Sequence, residues 1–155
     1  MKWKQPPIIK IYEALGALGD KRVFMSGNTA KIYSSTGSKY YKVKFDPAQM
    51  EISCNDNGSF WVGYLGYPAI AFLLKRGIIP FEKKFAAAVK GVHWKELNTK
   101  YKNDFSKTKK SVDNFLIQGQ VDLPSFTQEV KKISAAVKKL NLAKLGPQMR
   151  PPSGF

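Results

Sequence analysis

Cysteine and histidine are nearly absent from this sequence, which has one of each, Cys54 and His93. A lone cysteine cannot close an intramolecular disulfide, which suits a reducing compartment. One thiol and one imidazole also leave zinc sites and Cys–His nucleophile pairs without ligands, so no metal and no cofactor are expected. Cys54 alternates with Met50 and Ile52, the pattern of a buried, inert thiol. Long apolar runs are missing too. The most hydrophobic stretch, residues 62–74, is interrupted by Gly63, Gly66 and Pro68 and is too short to span a bilayer. Met1-Lys2-Trp3-Lys4-Gln5-Pro6-Pro7 lacks the apolar segment of a signal peptide, and the expectation is a soluble cytoplasmic protein with no membrane partner.

Catalytic signatures are lacking as well. There is no glycine-rich loop ending in Gly-Lys-Ser/Thr, no Gly-x-Ser-x-Gly elbow and no His-Glu-x-x-His. Asp46, Glu51 and Asp56 are the nearest approach to a metal-nuclease set. Asp46 precedes Pro47, however, and Asp56 sits in Asn55-Asp56-Asn57-Gly58, so turn chemistry accounts for both. No enzyme is expected.

Negative charge is scarce: 11 Asp+Glu stand against 26 Lys+Arg, a formal charge of +15. With 43% hydrophobic and 13% aromatic residues the chain has the composition of a folded domain, so the charge is carried on a folded surface. Residues 1–78 hold 11 basic and 5 acidic side chains and residues 79–155 hold 15 and 6, so this is no basic tail on a neutral domain. The expected partner is a polyanion, whose counterions such a surface releases.

Ile8, Ile11, Tyr12, Leu15 and Leu18 recur at helical spacing and predict a helix over residues 7–18. Four short segments of β character follow, residues 22–25, 30–35, 39–46 and 50–54, with turn residues between them. Links this short make antiparallel neighbours, so the segments form a four-stranded antiparallel β-meander. Helical patterns occupy the rest: one after Pro68 to Gly77, one from Pro80 to Gly91, and a long one over residues 93–118. The long one would bury Trp94, Leu97, Tyr101, Phe105, Thr108, Val112 and Phe115. The last helix starts near Ser125, whose spacing to Gln128 is that of a capping box. The fold class is α+β: an N-terminal helix, the meander, a helical cluster and a zipper-like C-terminal helix.

In that last helix Phe126, Val130, Ile133, Val137 and Leu140 are spaced 4, 3, 4, 3, an a/d seam backed by Lys131, Lys132, Lys138 and Lys139. Such a seam either pairs with another copy, giving a dimer or tetramer, or docks on its own domain. The expected division is a binding domain over residues 1–118, an oligomerisation helix over 125–145 and a disordered tail over 146–155.

The meander carries the clearest functional pattern. In residues 39–45 Tyr41, Val43 and Phe45 share one face, and Tyr40, Lys42 and Lys44 the other. With Ile32, Ile52 and Cys54 on the core side, the opposite face presents Lys31, Tyr33, Tyr40, Lys42 and Lys44, then Glu51 and Ser53, joined by Arg22 or Phe24. Ammonium groups for phosphates beside rings for bases are what a single strand needs; the alternative is a face covered by helices. A second cluster, Phe60, Trp61 and Tyr64 among glycines, would line a cleft where glycines let a strand approach the backbone, or else bury the sheet-to-helix junction. A third is basic helix 93–111, where Trp94 and Lys95 at its start are the contact candidates because helix N-termini favour phosphate. Its other lysines read as a solvated face.

A helix, a small antiparallel sheet, a helical cluster and a terminal zipper-like helix, all basic and rich in aromatics, resemble the ThermoDBP group of archaeal single-stranded DNA-binding proteins. The resemblance covers most of the chain and lies in architecture and composition rather than in an aligned motif. It implies sequence-independent binding of single-stranded DNA in a basic, aromatic cleft, with oligomers formed through the last helix. The other readings are an RNA-binding or ribosome-associated protein, and an assembly or adaptor protein that binds no nucleic acid. The chain ends Pro151-Pro152-Ser153-Gly154-Phe155 without an acidic run, so an acidic partner-recruiting tail is not expected.

Overall fold

A helix that is largely apolar must be covered over most of its surface, and α1 (Ile8–Gly19), whose only charged side chains are Lys10 and Glu13, is buried along most of its length. In the computed structural model, which describes residues 1–153, Ile9, Ile11, Tyr12, Ala14, Leu15 and Ala17 are all buried. Extended Pro7 caps the helix start.

The meander follows as β1 (Val23–Ser26), β2 (Thr29–Tyr33), β3 (Tyr40–Asp46) and β4 (Glu51–Cys54), each antiparallel to the next. Val23 stands opposite Ile32, Ile32 opposite Tyr41, and Val43 opposite Cys54. The predicted core face is therefore in register across four strands, and it is buried. A five-residue π-helical turn over Gly58–Val62 leads into α2 (Tyr67–Lys75), which is buried from Pro68 to Leu74 and lies on the sheet, with Phe72 edge-on to Phe45 at 6.0 Å. Helix α1 packs on α2, and α3 (Lys83–Ala88) packs on α1.

The predicted helix over residues 93–118 is two helices, α4 (Trp94–Lys100) and α5 (Phe105–Gln118). Lys102 and Asn103 between them adopt positive φ, and the Asp104 side chain caps α5 by accepting from the Lys107 N–H. The break changes the phase of the stripe. Leu116 joins Thr108 and Val112 in the interior, and Phe115 is left 46% exposed.

Helix α6 (Leu123–Leu140) begins at Asp122, whose carboxylate accepts from the Ser125 hydroxyl, and ends at Asn141 in the left-handed region. Its a/d seam is not a free surface. Phe126, Val130, Ile133 and Val137 are 0–6% exposed within the single chain, and Leu140 packs against the same core. Phe126 meets Tyr12 of α1 edge-on at 5.1 Å and Phe85 of α3 at 5.9 Å. The buried Glu129 carboxylate of α6 accepts the Glu82 backbone N–H at 2.7 Å. The expected oligomerisation stripe and separate C-terminal arm are thus corrected: α1 and α3 leave an apolar groove, and α6 fills it.

After α6, β5 (Ala143–Lys144) adds a fifth strand parallel to β4, a pairing too short to show in the sequence pattern. The Trp3 N–H donates to the Leu142 carbonyl, so the N-terminal segment lies beside this strand. The described part of the expected disordered tail has fixed partners. Gln148 Nε2 donates to the carbonyls of Ser59 and Phe60 at 2.9 and 3.0 Å, and Asn55 Nδ2 donates to the Arg150 carbonyl. Gly154 and Phe155 lie outside the described residues.

Candidate nucleic-acid interface

The face of the sheet away from α2 is open along β1–β3, while Ser53 of β4, opposite Lys44 on the same face, is buried. Phe24, Lys31 and Lys42 line up across three strands, Tyr33 stands opposite Tyr40, and Lys44 opposite Thr29. Three rings run diagonally over this face, Phe24 to Tyr33 and Tyr33 to Tyr40, each pair 5.6 Å apart between centroids. Phe24 is 59% exposed, far more than a phenylalanine needs to be for the fold alone. The Lys31 ammonium lies 5.0 Å from the centre of Tyr40. Lys31 and Lys42 are direct cross-strand partners, an arrangement of like charges that costs stability. Lys31, Lys42 and Lys44 are exposed and take part in none of the ion pairs among the described residues.

On the other side of the β2–β3 hairpin lies a cleft of about 1000 Å³. Its walls come from α1 (Lys10, Glu13), the hairpin (Ser34, Ser35, Lys39, Tyr41), the π-helical turn (Trp61, Val62) and α4 (Lys95, Asn98). Lys10 is bonded to Glu13 at 2.9 Å; burial pulls its ammonium down, but Glu13, Tyr64 and Asp56 together more than offset this and hold it above the usual lysine value. Burial, with Asp56 and Glu13 nearby, pushes the Tyr41 hydroxyl up to about 12. Lys39 is held below the usual lysine value by burial and by the neighbouring ammonium of Lys95. Asp56, also in the wall, is committed to the fold. Its carboxylate accepts from the Ser59 hydroxyl and the Cys54 thiol, and burial pushes that thiol well up.

The predicted site residues separate into two sets. Lys31, Tyr33, Tyr40, Lys42 and Lys44 share the open face. Arg22, Trp61, Tyr64, Trp94 and Lys95 line the cleft instead. Arg22 is buried there because it precedes β1, where alternation no longer holds; its Nη1 donates to the Tyr33 carbonyl at 2.6 Å, and Phe24 takes its place on the open face. Phe60 stands edge-on to Trp61 at 4.6 Å, while Trp61 at 69% exposure forms the lip.

Two expectations fail on geometry. Helix α4 is no phosphate-binding terminus, since its Lys95 N–H already donates to the Ser35 hydroxyl and Trp94 is buried against Gly16. Nor does Gly66 admit a strand of nucleic acid; a side chain there would strike the Asp56 carboxylate, so the glycine serves the fold. Lys39, Lys10 and Phe105 were missed as cleft residues. Alternation does put Lys39 on the side of Tyr41, but nothing local says that a cleft lies there.

The molecule is an α+β protein with an open, basic aromatic sheet face and a basic cleft beside it. Among its described residues no helix is long and apolar enough to cross a membrane, and no cluster of three His, Cys, Asp or Glu side chains could hold a metal ion. The family described as Uncharacterised conserved protein UCP014422 matches residues 3–143, and the chain belongs to that family. That span takes in all six α-helices of the described residues. No curated protein and no solved structure matches the chain.

Proposed function

We propose that this protein binds single-stranded nucleic acid, with DNA as the expected strand, independently of sequence and on the open face of the sheet. The observation that carries the reading is the ring series Phe24–Tyr33–Tyr40 set among Lys31, Lys42 and Lys44 on a face no helix covers. An exposed phenylalanine and a like-charged cross-strand pair both cost stability in the free protein. A polyanion with unpaired bases offsets both at once, since phosphates neutralise the lysines and bases cover the rings. Stacking tolerates any base, which accounts for the sequence independence.

Titration with single-stranded DNA, RNA of the same sequence and duplex DNA, each at several salt concentrations, tests this. Single strands should bind more tightly than duplex, with affinity falling at a slope of about −0.7 per phosphate neutralised. A duplex preference, or binding that ignores salt, would sink the reading.

A further inference from the structure

Where the open face meets the end of β4, the C-terminal segment lies beside it. Lys31 stands opposite Lys42, and Cys54 stands opposite Val43, so Asn55 comes next to Lys42 in the same row across the sheet. Asn55 is buried and works as a clasp. Its Oδ1 accepts the Lys42 backbone N–H at 2.8 Å, and its Nδ2 donates to the Arg150 carbonyl at 3.4 Å. Gln148 is a second clasp, donating to the carbonyls of Ser59 and Phe60. Pro147, Pro151 and Pro152 restrict the backbone on either side, so a few bonds are enough to order it.

The charge of this segment takes no part in holding it. Arg150 is tied by its carbonyl, while the residue is exposed and makes no ion pair among the described residues. A guanidinium brought beside Lys42, in a chain of formal charge +15, is repelled by its surroundings and gives the fold nothing in return. Residues 146–153 also contain no Asp or Glu. A segment that occupied a basic face in place of a polyanion would carry carboxylates, so this one adds to the face rather than imitating its ligand.

We propose that residues 147–152 are part of the strand-binding surface, with Arg150 as a further phosphate-binding residue beside Lys42. The inference rests on the reading that the open face binds single strands, and it gives the bound strand a path. The backbone crosses the sheet along the row from Lys31 through Lys42 to Arg150, rather than following any one β-strand, and the rings of Phe24, Tyr33 and Tyr40 meet its bases. Arginine suits the end of such a row because its planar fork can bond two oxygens of one phosphate.

Titration of the full chain and its variants with a fluorescent oligothymidylate, at several salt concentrations, tests the proposal. Arg150→Gln should weaken binding about fivefold or more and reduce the salt slope by about 0.7, the share of one phosphate on a single strand. Arg150→Lys keeps the charge and should keep the slope. Gln148→Ala removes no charge but frees the segment, and it should weaken binding as well. All three should melt like the wild type by circular dichroism, since the guanidinium is exposed and Gln148 holds only the segment. Hydrogen exchange at residues 148–150 should slow when the oligonucleotide is added. If the wild type binds and Lys42→Ala with Lys44→Ala lowers the slope, but Arg150→Gln matches the wild type, this proposal falls and the sheet-face reading stands. Tighter binding by Gln148→Ala would mean that the segment obstructs the face, which also overturns the proposal. A wild type that binds no single strand overturns both.

Discussion

The open face of the sheet and the apolar stripe of α6 are built from similar ingredients, large side chains flanked by lysines, and they meet opposite fates. Phe24, Tyr33 and Tyr40 remain at the surface, whereas Phe126, Val130, Ile133 and Val137 are closed off by α1 and α3. The difference is one of supply. Helix α2 covers the core face of the sheet, and over β1–β3 the second face is left to solvent. Helix α1, largely apolar, needs a further partner besides α2 and α3, and α6 packs on it. A pattern of apolar spacing thus tells which side of an element seeks cover, but not whether the cover comes from the same chain.

The sharpest way to break this contrast is Ile133→Asp. If α6 belongs to the core, an unpaired carboxylate there should cost more than about 3 kcal/mol. Urea unfolding followed by circular dichroism should show the loss. A variant that stays fully folded while its mass by light scattering halves would restore the zipper and undo the comparison.

On the open face the substitutions should spare the fold. Phe24→Ala and Tyr33→Ala should each weaken single-strand binding by about 1–3 kcal/mol with the salt slope unchanged. Phe24→Ala should also leave the unfolding midpoint near the wild type, because the ring is already largely in water. If Phe24→Ala destabilises the protein and binding persists, the ring is structural and the contrast with α6 disappears.

A smaller effect is expected from Lys42→Ala combined with Lys44→Ala. The slope of log affinity against log salt should fall by about 1–2, while the ring variants leave it alone. Removing Lys42 also relieves its repulsion with Lys31, so the double variant should be no less stable than the wild type.

Much of the sheet was legible because its signals are local. Alternation in residues 39–45 assigns each side chain to a face, and short turns around Gly27 and Pro47 permit only antiparallel pairing. The open-face residues Lys31, Tyr33, Tyr40, Lys42 and Lys44 follow from those two rules alone. The cleft was legible only in part. Trp61, Tyr64 and Lys95 stood out as aromatic or basic side chains, but Lys10, Lys39 and Phe105 come from three separate elements, and no spacing along the chain joins them.

By itself the sequence determined the α+β class, the meander and its two faces, and the surplus of basic over acidic side chains. Each depends on composition or on neighbours a few residues apart, within reach of a single strand or helical turn. Tertiary structure decided the rest: that α6 completes the core, that β5 and the N-terminal segment extend the sheet edge, that Arg22 turns inward while Phe24 turns out, and that a cleft opens beside the hairpin. Those outcomes depend on which surfaces compete for the same cover once distant segments meet, and burial of apolar area, being non-directional, selects the arrangement only at that stage.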